Sequence, residues 1–266
     1  MSVDGDFWRF RDGKLARVID QVATSLSVAD SWLVQNGSCR SLTAHLRRFA
    51  GWVTPAGISN TELVDFFEAA LAVIPDSGDW FPRLEARFDQ PAGDQLFFRL
   101  RPAPELTESV ALWTLPEADP RSNPLVKGPD LSLCQQIRRA ANLHGADEAV
   151  LIDSEGYISD GALSSIVWWR SGQLFGPDES TNWLPSITRG EVFDLALQAG
   201  YSVAQERARP ADLAGCEVWS LSSLQGIRPV ISWGDIAIGP IRLAPAFRKR
   251  LALLSAPIES SRLKLA

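Results

Sequence analysis

Trp183-Leu184-Pro185-Ser186-Ile187-Thr188-Arg189-Gly190-Glu191 is the stretch around which the rest of the chain becomes readable. Proline, then a serine, then an apolar-periodic run through Ala199 with Gly200 just beyond it, marks a helix with a defined start and stop. The first N–H groups of a helix have no intrahelical acceptor and stand at the positive end of its dipole, so this start suits a phosphate. An ordinary N-cap explains the same residues, and the stretch needs company before it means more.

Lys127 supplies that company. The chain has four lysines, and Lys14, Lys249 and Lys264 sit in polar or terminal stretches, whereas Lys127 lies in Asn123-Pro124-Leu125-Val126-Lys127-Gly128-Pro129-Asp130. An amine in apolar surroundings has a lowered pKa, and a neutral amine attacks an aldehyde to form a Schiff base. The competing explanation is a lysine whose stem snorkels to water. A third feature is Asp160 in Ile158-Ser159-Asp160-Gly161-Ala162, at the end of a short strand. If the cofactor is pyridoxal phosphate, a carboxylate there keeps the pyridine nitrogen protonated and makes the ring an electron sink; otherwise Ser-Asp-Gly is a turn. Ser222-Ser223, after the strand Val218–Leu221, offers a hydroxyl to the same phosphate or closes a turn.

The totals set limits. At 266 residues the chain forms one large domain or two smaller ones, and 45% hydrophobic with 22% charged residues is ordinary for a soluble protein. A net charge of −6 with no basic patch argues against nucleic acid. Met1-Ser2-Val3-Asp4-Gly5-Asp6 has acids where a leader needs bases, and no apolar run approaches the roughly 20 residues of a membrane span. The expected setting is cytoplasmic, without membrane or nucleic-acid partners. Cys39, Cys134 and Cys216 are far apart, and with only His45 and His144 they give no metal-ligand spacing; they read as small buried hydrophobes. Most of the ten tryptophans fall in strand-like stretches and read as core.

Two lobes are expected. Phe7 to Leu15 is a strand, an Asp-Gly turn and a second strand, and Ser25 to Val34 is extended. Thr43–Phe49 and a capped Asn60–Ile74, stopped by Pro75, are helices. Arg83 to Trp113 alternates like strands, so residues 1–115 form an α+β lobe. Residues 116–129 are Pro-rich and read as a linker ending at Lys127. Residues 130–266 form an α/β lobe: helix Leu131–His144, strand Glu148–Asp153, a hairpin through Phe175, helix Thr188–Ala199, strands at Tyr201–Glu206, Val218–Leu221 and Gly226–Trp233, and a last helix at Ala244–Leu254.

The order of these motifs resembles the class IV aminotransferase family, the fold-type IV pyridoxal phosphate enzymes that include branched-chain and D-amino acid aminotransferases and 4-amino-4-deoxychorismate lyases. Leu184-Pro185-Ser186-Ile187-Thr188-Arg189 is similar to the family's Leu-Pro-Gly-Ile-Thr-Arg turn, Gly145–Asp153 to its strand after the first C-terminal helix, and the 33 residues from Lys127 to Asp160 to the spacing of its lysine and acid. The first lobe matches through His45-Leu46-Arg47-Arg48-Phe49. The resemblance implies two lobes with the cofactor, pyridoxal 5'-phosphate, between them, usually in a homodimer. It makes Lys127 the Schiff-base residue and proton carrier, and Arg48 a phosphate ligand. Ile187 and Thr188 would give backbone N–H groups and Ser223 a hydroxyl to that phosphate, with Leu184 on the ring face and Asp160 at the ring nitrogen.

The chain departs from the pattern on its substrate side. Asp160 stands where glutamate is usual, Leu163-Ser164-Ser165-Ile166 replaces a polar pair ending in Asn, Ser132 stands near the place of a tyrosine, and Ser27–Val34 replaces a Gly-rich segment containing Phe-Glu. Three outcomes stay open: a transaminase acting on an amino acid or amino-bearing carboxylate, a lyase that eliminates pyruvate to leave 4-aminobenzoate, or a non-catalytic member that keeps the fold. Arg40, Arg99, Arg101 and Arg228 are the candidate cations for a substrate carboxylate.

Overall fold

The computed structural model describes residues 5–19 and 25–258. Met1 to Asp4, read above as lacking a leader, and Lys264 lie outside the described residues. The chain divides into two compact units, one of residues 1–105, 126–129 and 254–266, the other of 106–125 and 130–253.

The first unit carries strands β1 (Asp6–Arg11), β2 (Lys14–Arg17), β3 (Val28–Ser31), β4 (Val34–Gln35), β5 (Ser38–Arg40), β6 (Asp79–Trp80), β7 (Arg83–Ala86) and β8 (Leu96–Leu100). Five of them form an antiparallel sheet in the order β2-β1-β8-β7-β3. Helix α1 (Leu42–Val53) buries Leu42, His45, Leu46, Phe49 and Val53, a single stripe at helical spacing. In α2 (Asn60–Ala72) the Ser59 side chain caps the start by accepting from the Glu62 N–H, and Leu63, Phe66, Phe67, Ala70 and Leu71 face inward. Both stripes meet one face of the sheet, Phe10, Val28, Leu84, Ala86, Leu96 and Phe98, in a common core. Each buried phenylalanine there contributes about 2 kcal/mol.

The second unit is built on an eight-stranded mixed sheet. Its strands are β9 (Val110–Ala118), β10 (Glu148–Ile152), β11 (Ile158–Gly161), β12 (Ser165–Arg170), β13 (Gln173–Pro177), β14 (Ser202–Glu206), β15 (Glu217–Ser222) and β16 (Gly226–Trp233), in the order β11-β10-β9-β16-β15-β12-β13-β14. One apolar cluster gathers Val110, Val150, Ile158, Ile166, Trp168, Val218 and Val230 from six strands, so the sheet curls on itself. The opposite face is covered by helices α3 (Leu131–Leu143), α4 (Ile187–Gln198) and α5 (Ala244–Ala252). Under α4 and α5, Trp169, Trp219 and Phe247 pack with ring centroids 5.3–5.5 Å apart, in the tilted and edge-on arrangements that aromatic quadrupoles favour.

β9 runs three residues into the Pro-rich stretch read as linker. Pro116 is tolerated because backbone groups alternate sides along a strand. The amide and carbonyl of Ala111 face β10, so Pro116, five residues on, faces the other way, where the pairing with β16 has already ended at Leu112. A last strand, β17 (Ser255–Pro257), returns to the first unit and pairs with β5 in a four-stranded sheet ordered β17-β5-β4-β6.

The three cysteines are buried and unpaired with one another, and burial pushes the Cys39 and Cys134 thiols up to about 12. Among the described residues no helix is long and apolar enough to cross a membrane.

Candidate active site

In the first unit, Lys127 is carried on a four-residue excursion, Val126–Pro129. Its carbonyl accepts from the Ala29 N–H of β3 at 2.6 Å. Gly128 follows at φ +149°, and a Cβ there would stand 2.8 Å from Val28 Cα and 2.9 Å from the Ser27 carbonyl oxygen. Only glycine lets the segment lie this close to β3. Lys127 itself is half-buried.

The neighbouring residue of β3 organises a second group. Asp30 is 1% exposed and accepts from Arg48 Nε at 2.7 Å and Arg48 Nη2 at 2.9 Å, with His45 Nδ1 2.7 Å away. One turn of α1 separates His45 from Arg48, which brings both to the same carboxylate. Burial alone would raise the Asp30 carboxyl, but His45 and Arg48 draw it down to about 2. Arg48 and Lys127 are thus anchored on consecutive residues of one strand.

In the second unit, Asp160 is the last residue but one of β11 and is 3% exposed. Its Oδ2 accepts from the Leu184 N–H at 3.1 Å, so two motifs 24 residues apart in sequence are joined directly. Arg121 Nη1 reaches the same oxygen at 3.4 Å, and Oδ1 accepts from the Gly161 N–H at 3.2 Å. Arg121 is held in turn by Asp119, which accepts from its Nη2 at 2.7 Å and its Nε at 3.0 Å. Burial pushes the Asp160 carboxyl above its usual range, an effect that Arg121 and the Leu184 N–H only partly offset.

The Pro185 turn leads into α4. Ser186 caps it, its Oγ accepting from the Arg189 N–H at 3.2 Å, while the Ile187 and Thr188 N–H groups take no acceptor among the described residues. Arg189 is 3% exposed, its guanidinium 3.8 Å from the Trp183 ring centre and donating from Nη2 to the Pro177 carbonyl at 3.0 Å. A Cβ at Gly176 would lie 2.9 Å from that guanidinium. Ser223 lies in the β15–β16 turn, where Ser222 Oγ accepts from the Gln225 N–H at 3.1 Å. Arg228, a candidate cation, is buried on β16 and donates to Thr107 Oγ1 at 3.3 Å.

Sequence reasoning named Lys127, Arg48, Asp160, Leu184, Ile187, Thr188 and Ser223 but not Asp30, Asp119 or Arg121 as their partners. Arg121 sits two residues after Asp119, a charged pair inside a stretch taken for a linker, and that spacing was the available signal.

Within the second unit, the start of a helix with two open N–H donors and a buried carboxylate suit a phosphorylated pyridine; within the first, the Lys127 amine suits an aldehyde and is fixed by its backbone.

Comparison with known proteins agrees. The chain is similar to the branched-chain-amino-acid aminotransferase of Escherichia coli K12, at 32% identity over 110 residues, 41% of this chain and 36% of that protein. The Pseudomonas aeruginosa enzyme of the same name is 29% identical over 106 residues, 40% and 34%. The chain thus spans about a third of the curated relatives it matches. Among solved structures it is similar to a hypothetical aminotransferase from Mycobacterium tuberculosis in its PLP-bound form, with a TM-score of 0.79, 18% identity and coverage of 96% of this chain and 99% of that one. A branched-chain aminotransferase from Thermoproteus uzoniensis with norvaline gives 0.78, 18%, 93% and 93%. These likenesses establish the fold-type IV architecture. The model of the class IV amino-transferases matches residues 27–233, well over half of the chain, and the chain belongs to that family.

Proposed function

We propose that this protein is a pyridoxal 5'-phosphate enzyme that acts on the amino group of an amino acid or amino-bearing carboxylate, by transamination. The observation that carries this is the direct bond between the Leu184 N–H and the buried Asp160 carboxylate, which ties the helix start to the acid. The relatives' name supports the reaction. When bound, the cofactor supplies an electron sink for bonds at the substrate α-carbon.

The chain's own residues do the rest. Lys127 carries a proton at Nζ to and from that carbon, and its backbone anchor on Ala29 fixes where Nζ can reach. Asp160 holds a proton at the ring nitrogen; burial raises its basicity, and Arg121 and the Leu184 N–H partly offset that. Arg48 and the Ile187 and Thr188 N–H groups bind phosphate, with Ser223 adding a hydroxyl. Leu184 packs on the ring. Homodimer formation belongs to the same proposal, and sedimentation of the purified protein tests it.

An absorption spectrum of protein supplied with pyridoxal phosphate tests the proposal. A visible band that Lys127→Ala removes and that bleaches with an amino acid is the expected outcome. A band that leaves amino acids untouched, with pyruvate released from aminodeoxychorismate, assigns the lyase reaction instead. A spectrum identical in wild type and Lys127→Ala refutes both.

A further inference from the structure

Arg189 is 3% exposed, yet among the described residues its guanidinium meets no carboxylate at ion-pair distance, and its Nη1 has no hydrogen-bond partner. Arginine this deep is ordinarily paired, because taking a cation out of water is unfavourable, and burial here lowers its pKa to about 10. The start of α4 does not require the side chain, since the Ser186 cap uses only the Arg189 backbone N–H. What the guanidinium touches gives it a different task. It lies 3.8 Å from the Trp183 ring centre, and its Nη2 donates to the Pro177 carbonyl of β13 at 3.0 Å. It also fills the space that a side chain at Gly176 would take, where a Cβ would stand 2.9 Å from both Cζ and Nη2.

Residues 182–186 belong to no helix or strand, so no ladder of backbone bonds fixes them and side-chain contacts must. Trp183 is tethered by its Nε1, which donates to the Asp178 carbonyl at 3.2 Å, and by the Arg189 guanidinium against its ring. The next residue, Leu184, gives its N–H to Asp160 Oδ2 at 3.1 Å. A continuous path of contacts thus runs from β13 through Arg189, Trp183 and Leu184 to the buried acid, all of it within the second unit.

We propose that Arg189 is a positioning residue for Asp160: gripping β13 and stacking on Trp183, it holds the Trp183–Leu184 step where the Leu184 N–H meets the carboxylate. This rests on the function proposed above, in which Asp160 serves the ring nitrogen. Around Asp160 stand Arg121 with its partner Asp119 just beyond β9, Arg189 on α4 and the Cys134 thiol on α3, which at about 12 stays neutral. Burial pushes the Asp160 carboxyl up, and Arg121, the Leu184 N–H and the Arg189 charge oppose it. A carboxylate that loses an N–H donor is easier to protonate, so displacing Arg189 raises the pH at which Asp160 titrates.

Gly176→Ala is the decisive variant, because its methyl meets first the tip of the flexible Arg189 side chain and moves the guanidinium without removing its charge. Arg189→Ala removes the guanidinium altogether. In the full chain without added cofactor, the carboxyl carbon NMR signal of Asp160, assigned by its loss in Asp160→Asn, should titrate about one pH unit higher in each variant than in wild type. Amide exchange at Leu184 should rise about tenfold relative to α3. Gly176→Ala added to Arg189→Ala should change neither reading further, since the methyl then has nothing to displace. With pyridoxal phosphate, each single variant should bind it about tenfold more weakly. An Asp160 titration unchanged in Gly176→Ala, or a full second effect of Gly176→Ala on top of Arg189→Ala, overturns the assignment. A raised titration in a protein whose spectrum with pyridoxal phosphate does not depend on Lys127 upholds the role of Arg189 and sinks only the cofactor reading.

Discussion

Asp30 is held ionised by two neighbours that α1 delivers together, and its low pKa ties that arrangement to pH. Its ordinary carboxylate range lies near 4, and in the fold it is drawn down to about 2. A depressed carboxyl stabilises the folded state fully above its unfolded pKa and loses that contribution as pH falls toward the folded one. The Asp30 group should therefore supply about 2 kcal/mol at neutral pH that disappears between roughly pH 4 and pH 2. Urea denaturation across that window, in wild type and Asp30→Asn, checks it: the wild-type curve should fall more steeply with acid than the variant's. Arg121 makes a second residue-scale case. Arg121→Leu leaves the buried Asp160 and the half-buried Asp119 without their cation, at a cost of about 3–5 kcal/mol. Denaturant midpoints measure that loss. His45 and Arg48 were legible from their helical spacing, but their carboxylate was not, because strand pairing rather than sequence distance puts Asp30 beneath them.

Elements position the site through two backbone requirements. Gly128→Ala would drive a methyl into the Val28 Cα and the Ser27 carbonyl, which are backbone atoms and cannot swing aside. That substitution should displace Lys127 and weaken the visible band with pyridoxal phosphate at least tenfold in cofactor affinity, whereas an alanine at the open position Gly190 should not. At α4, Ser186→Ala removes the cap on the Arg189 N–H and should cost about 1 kcal/mol, read as a shift in urea midpoint. Helices α2, α3 and α4 were legible to within two residues, since each carries a capping or stop signal and an apolar stripe, whereas α1, read as Thr43–Phe49, runs on to Val53. Strands were legible as strands, but alternation says nothing about which sheet a strand joins. Val110–Trp113 reads like the stretch before it, yet it pairs with β10 and β16. Arg99 was named as one of several candidate cations, but sequence could not show that the β7–β8 register sets it opposite Arg83.

At the scale of the whole molecule, the first unit is assembled from three separated pieces of chain. Its last piece brings Ile258, 6% exposed, into the main core, with its N–H donating to the Gly37 carbonyl at 3.0 Å. Ile258→Ala should destabilise this unit by about 2–4 kcal/mol, and amide exchange should rise in β5, to which β17 is paired, more than in β12 or β15. The same return of the chain bears on synthesis. A unit made only of early residues could fold while the ribosome was still at work, but here β5 receives its partner only when Ser255–Pro257 have cleared the exit tunnel. Until then the nascent first unit waits with an open strand edge while the whole second unit is synthesised.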